Sequence, residues 1–379
     1  MRKLGIWGLL MLSTACGATP ADQKQAMGVL TGADSPQDFN TFGPDEWINS
    51  KGVRFVAFNA ATYKPSVQVR DVPQSEMNLD ELAESLRAVT YHLGREYVAA
   101  EPQWDAAARV KNGEAPSGQS FDPSARERGS DVGKLQEAAV LGTDNRVAHS
   151  SAYPFSTTIA FNVDDDFNDF SDCAATLIGA STAVSAASCF RGKGSGGTWL
   201  PWQTWAPGAD RDSGTLFPHG AVTGCYAVYV PVGWVTGSGG SIVENDYAAL
   251  EFGEDSCGIY PGNDVGWLGF WNVTDSDISD NPNRLTSFPP DMQYPSLYTA
   301  AVSGAHIPAL FAGPNSFGHL ADHDSNCGSA VYGKFTPQTG SIYDYYVKGV
   351  NELWTINDWN VARRMDATFS TFITTNTSL

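Results

Sequence analysis

Basic residues are scarce in this 379-residue sequence, which contains 23 Lys and Arg against 42 Asp and Glu and has a formal net charge of -19. Binding to nucleic acid depends on clustered Lys and Arg that neutralise phosphates, so the composition argues against a nucleic-acid partner. Long apolar runs are also missing. The run at residues 4–12 is too short for a bilayer, and no other stretch approaches the roughly 20 apolar residues of a membrane-spanning helix, so we expect no transmembrane span.

The beginning of the sequence is typical of an exported protein. Arg2 and Lys3 precede the short apolar run, and small residues follow at 13–15, which predicts a signal peptide over residues 1–15. Cys16 comes directly after the predicted cleavage site and leaves two readings open, a lipid anchor at Cys16 or a freely secreted chain. We therefore expect a secreted or cell-envelope protein.

The rest of the chain divides by composition at about residue 144. Hydrophobic residues make up 42% of the chain and aromatic residues 12%, enough for substantial cores. Leucines at helical spacing predict a helix over residues 78–93, and the Gly, Pro and Ser content of residues 112–131 predicts a linker. Short β-branched and aromatic runs dominate from residue 144 onward, which indicates an all-β fold.

The clearest predicted strands lie at residues 157–163, 176–178, 225–230, 247–252 and 343–350. The segment 358–372 carries Val361, Met365 and Phe369 at helical spacing and predicts a C-terminal helix.

Four motifs carry a resemblance to a known family. In chain order they are CAATLIGASTAVSAASCF at residues 173–190, YVPVGW at 229–234 running to NDYAALEF at 245–252, GNDVGWLGFW at 262–271 and DSNCGSAVYG at 324–333. As an ordered set they resemble the trypsin-like serine peptidases of the chymotrypsin fold, and within these the bacterial glutamyl endopeptidases.

This resemblance implies a peptidase domain over residues 144–379, built of two six-stranded antiparallel β-barrels at about 150–255 and 262–375 with a C-terminal helix. Residues 16–143 would be a propeptide-like N-terminal region with its linker. A polypeptide would be the substrate or ligand, and no cofactor or metal is implied.

The resemblance also assigns the positions of the catalytic machinery, which needs a nucleophile, a base, an orienting carboxylate and oxyanion donors. Asp246 takes the place of the triad aspartate, although an ordinary turn aspartate is the other reading. Ser188 stands where the family has its histidine. Cys327 replaces the nucleophilic serine, and Ser325 replaces a glycine of the oxyanion loop.

These replacements predict a homologue without catalytic activity that binds polypeptide in its cleft. Serine has no group that titrates near neutral pH, and a thiol without a cationic neighbour is mostly protonated. The side chain of Ser325 also constrains a loop that glycine leaves free.

An active secreted endopeptidase is the alternative, with Cys327 as nucleophile and an unrecognised histidine as base. The chain has six histidines, of which His319 and His323 are the stronger candidates for that base because they shortly precede Cys327. The others are His92, His149, His219 and His306. A third reading makes Cys327 a disulfide partner or an intermolecular tether.

The six cysteines are expected to form disulfides in an oxidising compartment. We predict the pairs Cys173–Cys189, as in the family, and Cys225–Cys257. Cys327 would then be a free thiol if Cys16 is lipidated or removed.

Two further sets of residues have alternative readings. Lys348 lies near the place where glutamyl endopeptidases bind the substrate carboxylate, and a surface lysine of a strand is the other reading. The acidic run at residues 164–172 lacks the glycine and glutamate of an EF-hand loop, so we expect a solvated hairpin there and no metal site.

Overall fold

The structure is a computed structural model that describes residues 45–379 with several gaps. The gaps are residues 71, 93, 124–145, 150, 163–172, 201, 203, 212–214, 225, 238–242, 253–259, 280–282, 290–297, 303–314, 320–326, 336–343 and 357–358. The predicted signal peptide, the predicted lipid-anchor residue Cys16, the predicted pair Cys225–Cys257 and the acidic run at 164–172 lie outside the described residues. In the ranges that remain, no helix is long and apolar enough to cross a membrane.

The first described segment, residues 45–123, is a mixed α/β unit that we call the N-terminal lobe. Its elements are β1 (Glu46–Ile48), β2 (Arg54–Ala57), α1 (Leu79–Ser85), β3 (Ala88–His92), β4 (Arg95–Ala99) and α2 (Trp104–Lys111).

The helix that the leucine spacing predicted over residues 78–93 is wrong in its second half. Helix α1 begins with a capping box, in which the Asn78 side chain accepts from the Glu81 N–H and the Glu81 carboxylate accepts from the Asn78 N–H. It ends at Ser85, and residues 88–92 form β3 instead. The sequence there, AVTYH, is rich in β-branched and aromatic residues, which favour a strand between two partners.

The rest of the chain is mostly β-structure. Its strands are β5 (Val147–Ala148), β6 (Thr158–Asn162), β7 (Ala174–Leu177), β8 (Thr182–Ser185), β9 (Thr204–Pro207), β10 (Val222–Thr223), β11 (Tyr226–Pro231), β12 (Ala248–Phe252), β13 (Gly269–Phe270), β14 (Asn283–Ser287), β15 (Tyr298–Val302), β16 (Ser316–His319), β17 (Ala330–Phe335), β18 (Asp344–Ile356) and β19 (Trp359–Arg364). Its helices are α3 (Val232–Thr236), α4 (Pro261–Val265), α5 (Asp275–Ser279) and α6 (Ala367–Asn376).

The strands form two sheets. The first has the order β1-β2-β4-β3-β11-β12-β8-β7-β6-β9-β10, and all of its neighbours pair antiparallel. The second has the order β16-β19-β18-β17-β14-β15-β5, also antiparallel, and β13 joins β18 as a parallel strand. The four strands of the N-terminal lobe therefore continue the first sheet through the pairing of β3 with β11.

The predicted all-β class and the C-terminal helix are confirmed, and each of the five predicted strand positions carries a strand. Closure of the sheets into barrels is not detected among the described strands. Two side-chain hydrogen bonds join the region of β9 to the region of β11. The Trp205 indole donates to the Gly224 carbonyl at 2.7 Å, and the Tyr226 hydroxyl donates to the Trp202 carbonyl at 2.9 Å.

The predicted C-terminal helix begins later than the sequence suggested. Residues 359–364 are strand β19, in which Val361 pairs with Gly318, and helix α6 starts at Ala367. The change occurs at Asp366, whose carboxylate Oδ1 accepts from the Phe369 N–H at 2.9 Å and caps the helix.

Asp366 is also the counter-ion of a buried arginine. The Arg363 guanidinium is fully buried and donates to both carboxylate oxygens of Asp366, at 2.9 Å and 3.2 Å. A buried cation without a partner is strongly unfavourable, so one carboxylate both starts the helix and neutralises the interior.

We predict that Asp366→Ala lowers the free energy of unfolding by about 3–5 kcal/mol, because it leaves the buried Arg363 charge unpaired and removes the cap. Asp366→Asn keeps an oxygen that can cap α6 and should be clearly less harmful. Urea unfolding at neutral pH compares the two variants. Equal losses for Ala and Asn would show that the charge pair and not the cap dominates at this position.

Candidate functional site

Ser188 and Asp246 meet at one end of the first sheet. Ser188 lies in the 3₁₀-helix Ala187–Cys189 just after β8, and Asp246 lies just before β12. Because β8 and β12 pair antiparallel, with Ala248 opposite Ser185, the end of one strand adjoins the beginning of the other. The Ser188 N–H donates to Oδ1 of Asp246 at 2.7 Å, and the Ser188 hydroxyl donates to Oδ2 at 2.9 Å. Both carboxylate oxygens therefore accept from the residue at the predicted histidine position.

The Asp246 carboxylate is fully buried, and burial is the main influence on its pKa. Burial raises the pKa of Asp246 to about 6, while hydrogen bonds from the backbone and hydroxyl of Ser188 and from the backbone of Ala187, and the positive charge of Lys193, act in the opposite direction. The carboxylate is thus mainly ionised at neutral pH, and both hydrogen bonds from Ser188 come from neutral groups.

The segment before Asp246 is fixed by side chains from distant parts of the chain. Arg363 Nε donates to the Glu244 carbonyl at 2.9 Å, and the Gln74 side-chain amide donates to Asn245 Oδ1 at 3.2 Å. Arg363 also lies over the Tyr247 ring, 5.2 Å from its centroid. The chain on both sides of Asp246 is therefore held by charged and polar contacts.

Cys327 lies where the two sheets meet. Its carbonyl accepts from the Ala174 N–H at 2.9 Å, and it forms a parallel bridge with Cys173 of the first sheet. The next residue, Gly328, donates its N–H to the Asn351 carbonyl of the second sheet, also at 2.9 Å. Gly328 has φ +82°, and a Cβ there would clash with the Ala174 carbonyl and the Ser185 hydroxyl, so the position requires glycine.

A disulfide connects this loop with the Ser188 turn. The predicted pair Cys173–Cys189 is confirmed. Cys189 follows Ser188 directly, and Cys173 bridges Cys327 through the backbone. The structure therefore links Cys327 to the Ser188–Asp246 pair through Cys173 and Cys189.

The expectation that Cys327 is a free thiol is wrong. Its sulfur is disulfide-bonded, its side chain is fully buried, and no cysteine of the described residues is a free thiol. The prediction failed because it rested on an odd cysteine count after removal or lipidation of Cys16. Counting cannot identify which sulfurs the fold brings together.

His319 is connected to the Cys327 loop through one residue, Asn351. It is fully buried on β16, and its Nε2 is 2.8 Å from the Asn351 side-chain oxygen, while the Asn351 carbonyl accepts from Gly328. Burial lowers the pKa of His319 to about 4, and the hydrogen bond with Asn351 opposes this in part. The ring is therefore neutral at pH 7.

Three other histidines have contacts in other parts of the molecule. His92 packs near Trp47 in the N-terminal lobe, and burial lowers its pKa. His149 stacks on Phe155 with 3.8 Å between ring centroids. The His219 ring lies 2.8 Å from the Ser151 carbonyl. His306, His323 and the predicted oxyanion residue Ser325 lie outside the described residues.

Lys348 is not a surface lysine, so that reading is wrong. It is almost fully buried on β18, and its Nζ donates to the Asp277 carbonyl at 2.5 Å. A role in binding a substrate carboxylate stays a prediction.

Sequence reasoning missed three residues that hold the site from outside. Gln74 and Arg363 contact the segment around Asp246 from 171 and 119 residues away in the chain. Glu96 of the N-terminal lobe accepts from Arg191, which lies three residues after Ser188. No local motif announces such contacts. The available signal was the pair Arg363 and Arg364 next to Val361 and Ala362, because a cation among apolar residues needs a buried partner.

Comparison with known proteins gives resemblances at low identity. No protein-family model matches the chain. An extracellular metalloprotease of Bacillus subtilis strain 168 is 23% identical over 290 residues, which are 72% of this chain and 86% of that protein. The described part of this chain contains no group of three or more His, Cys, Asp and Glu side chains arranged to hold a metal.

Solved structures of proteases are also similar. The protease Anisep of Arthrobacter nicotinovorans is 16% identical with a TM-score of 0.40, and the match covers 58% of this chain and 94% of that one. The thermostable serine protease AL20 of an extremophilic microorganism is 13% identical with a TM-score of 0.39, covering 59% and 99%. The predicted resemblance is confirmed at this level: the chain is similar to trypsin-like serine proteases.

Proposed function

We propose that this chain is an exported homologue of the trypsin-like peptidases that does not hydrolyse peptide bonds and binds polypeptide in the corresponding cleft. The observation that carries the proposal is the pair Ser188–Asp246. In a catalytic triad the aspartate accepts a hydrogen bond from an imidazole, and here it accepts from the neutral hydroxyl and the N–H of Ser188. Export is supported by the predicted signal peptide and by the similarity to an extracellular protease. A polypeptide ligand is supported by the protease relatives, since peptide chains are what proteases bind.

Proton transfer is the step that this pair cannot perform. Acyl transfer from a peptide requires a base that takes the proton of the nucleophile and then gives it to the leaving amine. The hydroxyl of Ser188 does neither near neutral pH, and it donates its own proton towards Asp246. Asp246 is left with a structural task, the acceptance of two hydrogen bonds that fix the Ser188 turn.

The state of Cys327 supports the same proposal. A sulfur nucleophile must be a thiolate, and a disulfide-bonded sulfur is not one. The competing cysteine endopeptidase needs both a free thiol and a cationic imidazole beside it. The neutral, buried ring of His319 is hydrogen-bonded to Asn351 and supplies no such charge.

We predict that the purified protein neither hydrolyses denatured protein substrates nor reacts with a fluorophosphonate probe for active serines. The double variant Ser188→His with Cys327→Ser should remain nearly inactive. Addition of Ser325→Gly should raise its peptidase activity, because glycine allows the backbone of the oxyanion loop to turn its N–H donors towards the substrate. The triple variant serves as the positive control for the assay. Robust hydrolysis by the unmodified protein would refute the proposal.

We also predict that the Cys327 sulfur does not react with alkylating reagents while the disulfides are intact. Iodoacetamide should leave Cys327 unmodified both in the native protein and in urea without reductant, and should modify it only after reduction. The urea sample separates oxidation from simple burial, because unfolding exposes a buried thiol but does not break a disulfide. Peptide mass mapping gives the result, and rapid, pH-dependent alkylation of the native protein would instead favour the cysteine endopeptidase.

The raised pKa of Asp246 predicts how stability depends on pH. A carboxyl with a pKa near 6 in the folded state and near 3.8 in the unfolded state binds its proton more tightly when folded. The free energy of unfolding should therefore fall as pH rises from about 4 to about 6, by on the order of 3 kcal/mol, and stay level above that range. Unfolding of the unmodified protein and of Asp246→Asn across this range isolates the contribution of Asp246. A difference that grows with rising pH would contradict the prediction, because it would show that the attraction of cations such as Lys193 outweighs the burial of Asp246.

A further inference from the structure

We infer that the N-terminal lobe, residues 45–123, is a permanently docked part of the folded protein and stays bound when the chain is cut between residues 124 and 145. A propeptide that is cleaved and released is the contrary expectation. The surface that receives the lobe consists of the edge of β11, Arg191 with Trp199, Asn245, and the chain at Trp267 to Phe270; we call it the lobe-docking surface. Four independent contacts support the inference.

The first contact is a backbone ladder. Strand β3 of the lobe pairs with β11, with Val89 opposite Val230 and Ala88 opposite Pro231, and the Val232 N–H donates to the Arg87 carbonyl at 2.8 Å. Without the lobe β11 would be an edge strand with exposed hydrogen-bonding groups. The apolar core is continuous across this junction, where the Phe55 and Tyr229 rings are 5.8 Å apart and both are fully buried.

The second contact neutralises a buried charge. The Glu96 carboxylate of the lobe accepts from Arg191 Nε at 2.7 Å and from the Trp199 indole at 2.8 Å. The Arg191 side chain is only 1% exposed. Release of the lobe would remove the carboxylate that pairs with this guanidinium.

The third contact reaches the second sheet through the segment that the sequence predicted to be linker. Gly118 and Phe270 exchange two backbone hydrogen bonds, of 2.9 and 3.0 Å, and Phe121 and Trp267 do the same. The Phe121 and Trp267 rings lie 4.6 Å apart. Residues 118–121, which belong to the predicted linker, are therefore docked against the second sheet.

The fourth contact joins the first described residues to the end of the chain. The Asn49 side-chain amide donates to the Asn376 carbonyl at 3.1 Å, and the Ser50 hydroxyl donates to Glu251 at 2.6 Å. The lobe is thus fastened at both of its own ends and along one strand.

The docked lobe also holds the two loops of the candidate site. Glu96 fixes the chain three residues after Ser188, and Gln74 fixes Asn245, the neighbour of Asp246. Release of the lobe would loosen both loops at once. The lobe is therefore part of the site's support.

A specific cut tests the inference. A recognition sequence for a site-specific protease is inserted between residues 124 and 145, the full protein is cut, and the products are run on size-exclusion chromatography in native buffer. We expect both fragments to elute together, and to separate in denaturant. Separation in native buffer, whatever the state of the larger fragment, would overturn the inference. The readout is association and not activity, so its outcome is independent of whether the site is catalytic.

Variants of Glu96 identify the contact that holds the fragments. In the cut protein, Glu96→Ala should raise the dissociation constant of the two fragments by roughly a hundredfold, because it leaves Arg191 buried without its partner. Glu96→Gln, which keeps an acceptor oxygen, should have a smaller effect. Glu101→Ala is the matched control, since Glu101 is on the same lobe with its side chain 71% exposed. Equal dissociation constants for Glu96→Ala and Glu101→Ala would overturn the role given to Glu96.

Discussion

The buried carboxylate of Asp246 is the constraint on which the site depends. A carboxylate in an apolar interior must find donors, and Ser188 supplies two from one residue, its N–H and its hydroxyl. This pair fixes the turn that carries Cys189, the disulfide then fixes Cys173, and the bridge from Cys173 fixes the loop at Cys327. The positions of these three segments are thereby linked by two hydrogen bonds, a disulfide and a backbone bridge.

The N-terminal lobe extends this logic beyond the peptidase-like region. The loops that carry Ser188 and Asp246 both end in groups that need a partner, the Arg191 guanidinium and the Asn245 amide. Their partners, Glu96 and Gln74, come from the lobe. Since strand β3 of the lobe also pairs with β11, removal of the lobe would expose the edge of β11 and would leave the buried Arg191 guanidinium without its carboxylate partner. A segment with such contacts acts as part of the folded structure.

The sequence predicted the class of the fold, and it singled out Ser188 and Asp246, which the structure places in contact, because these predictions depend on local patterns and on the order of four motifs. The sequence-based prediction failed where one hydrophobic pattern is compatible with both a helix and a strand. Val89 fits both a helical repeat and a buried strand, and only pairing with Val230 decides between them. The same ambiguity moved the start of the C-terminal helix past Val361. Contacts such as Gln74 to Asn245 were out of reach, because nothing local marks a partner 171 residues away.

The disulfide at Cys327 removes this sulfur from thiol chemistry. His319 reaches the loop only through Asn351, and its ring is neutral at pH 7 because burial lowers its pKa to about 4. The disulfide adds a covalent constraint to a loop that already makes backbone hydrogen bonds with Ala174 and Asn351. Gly328 keeps the tight backbone turn that this loop needs. The loop at Cys327 is therefore held by a disulfide and by backbone hydrogen bonds to both sheets.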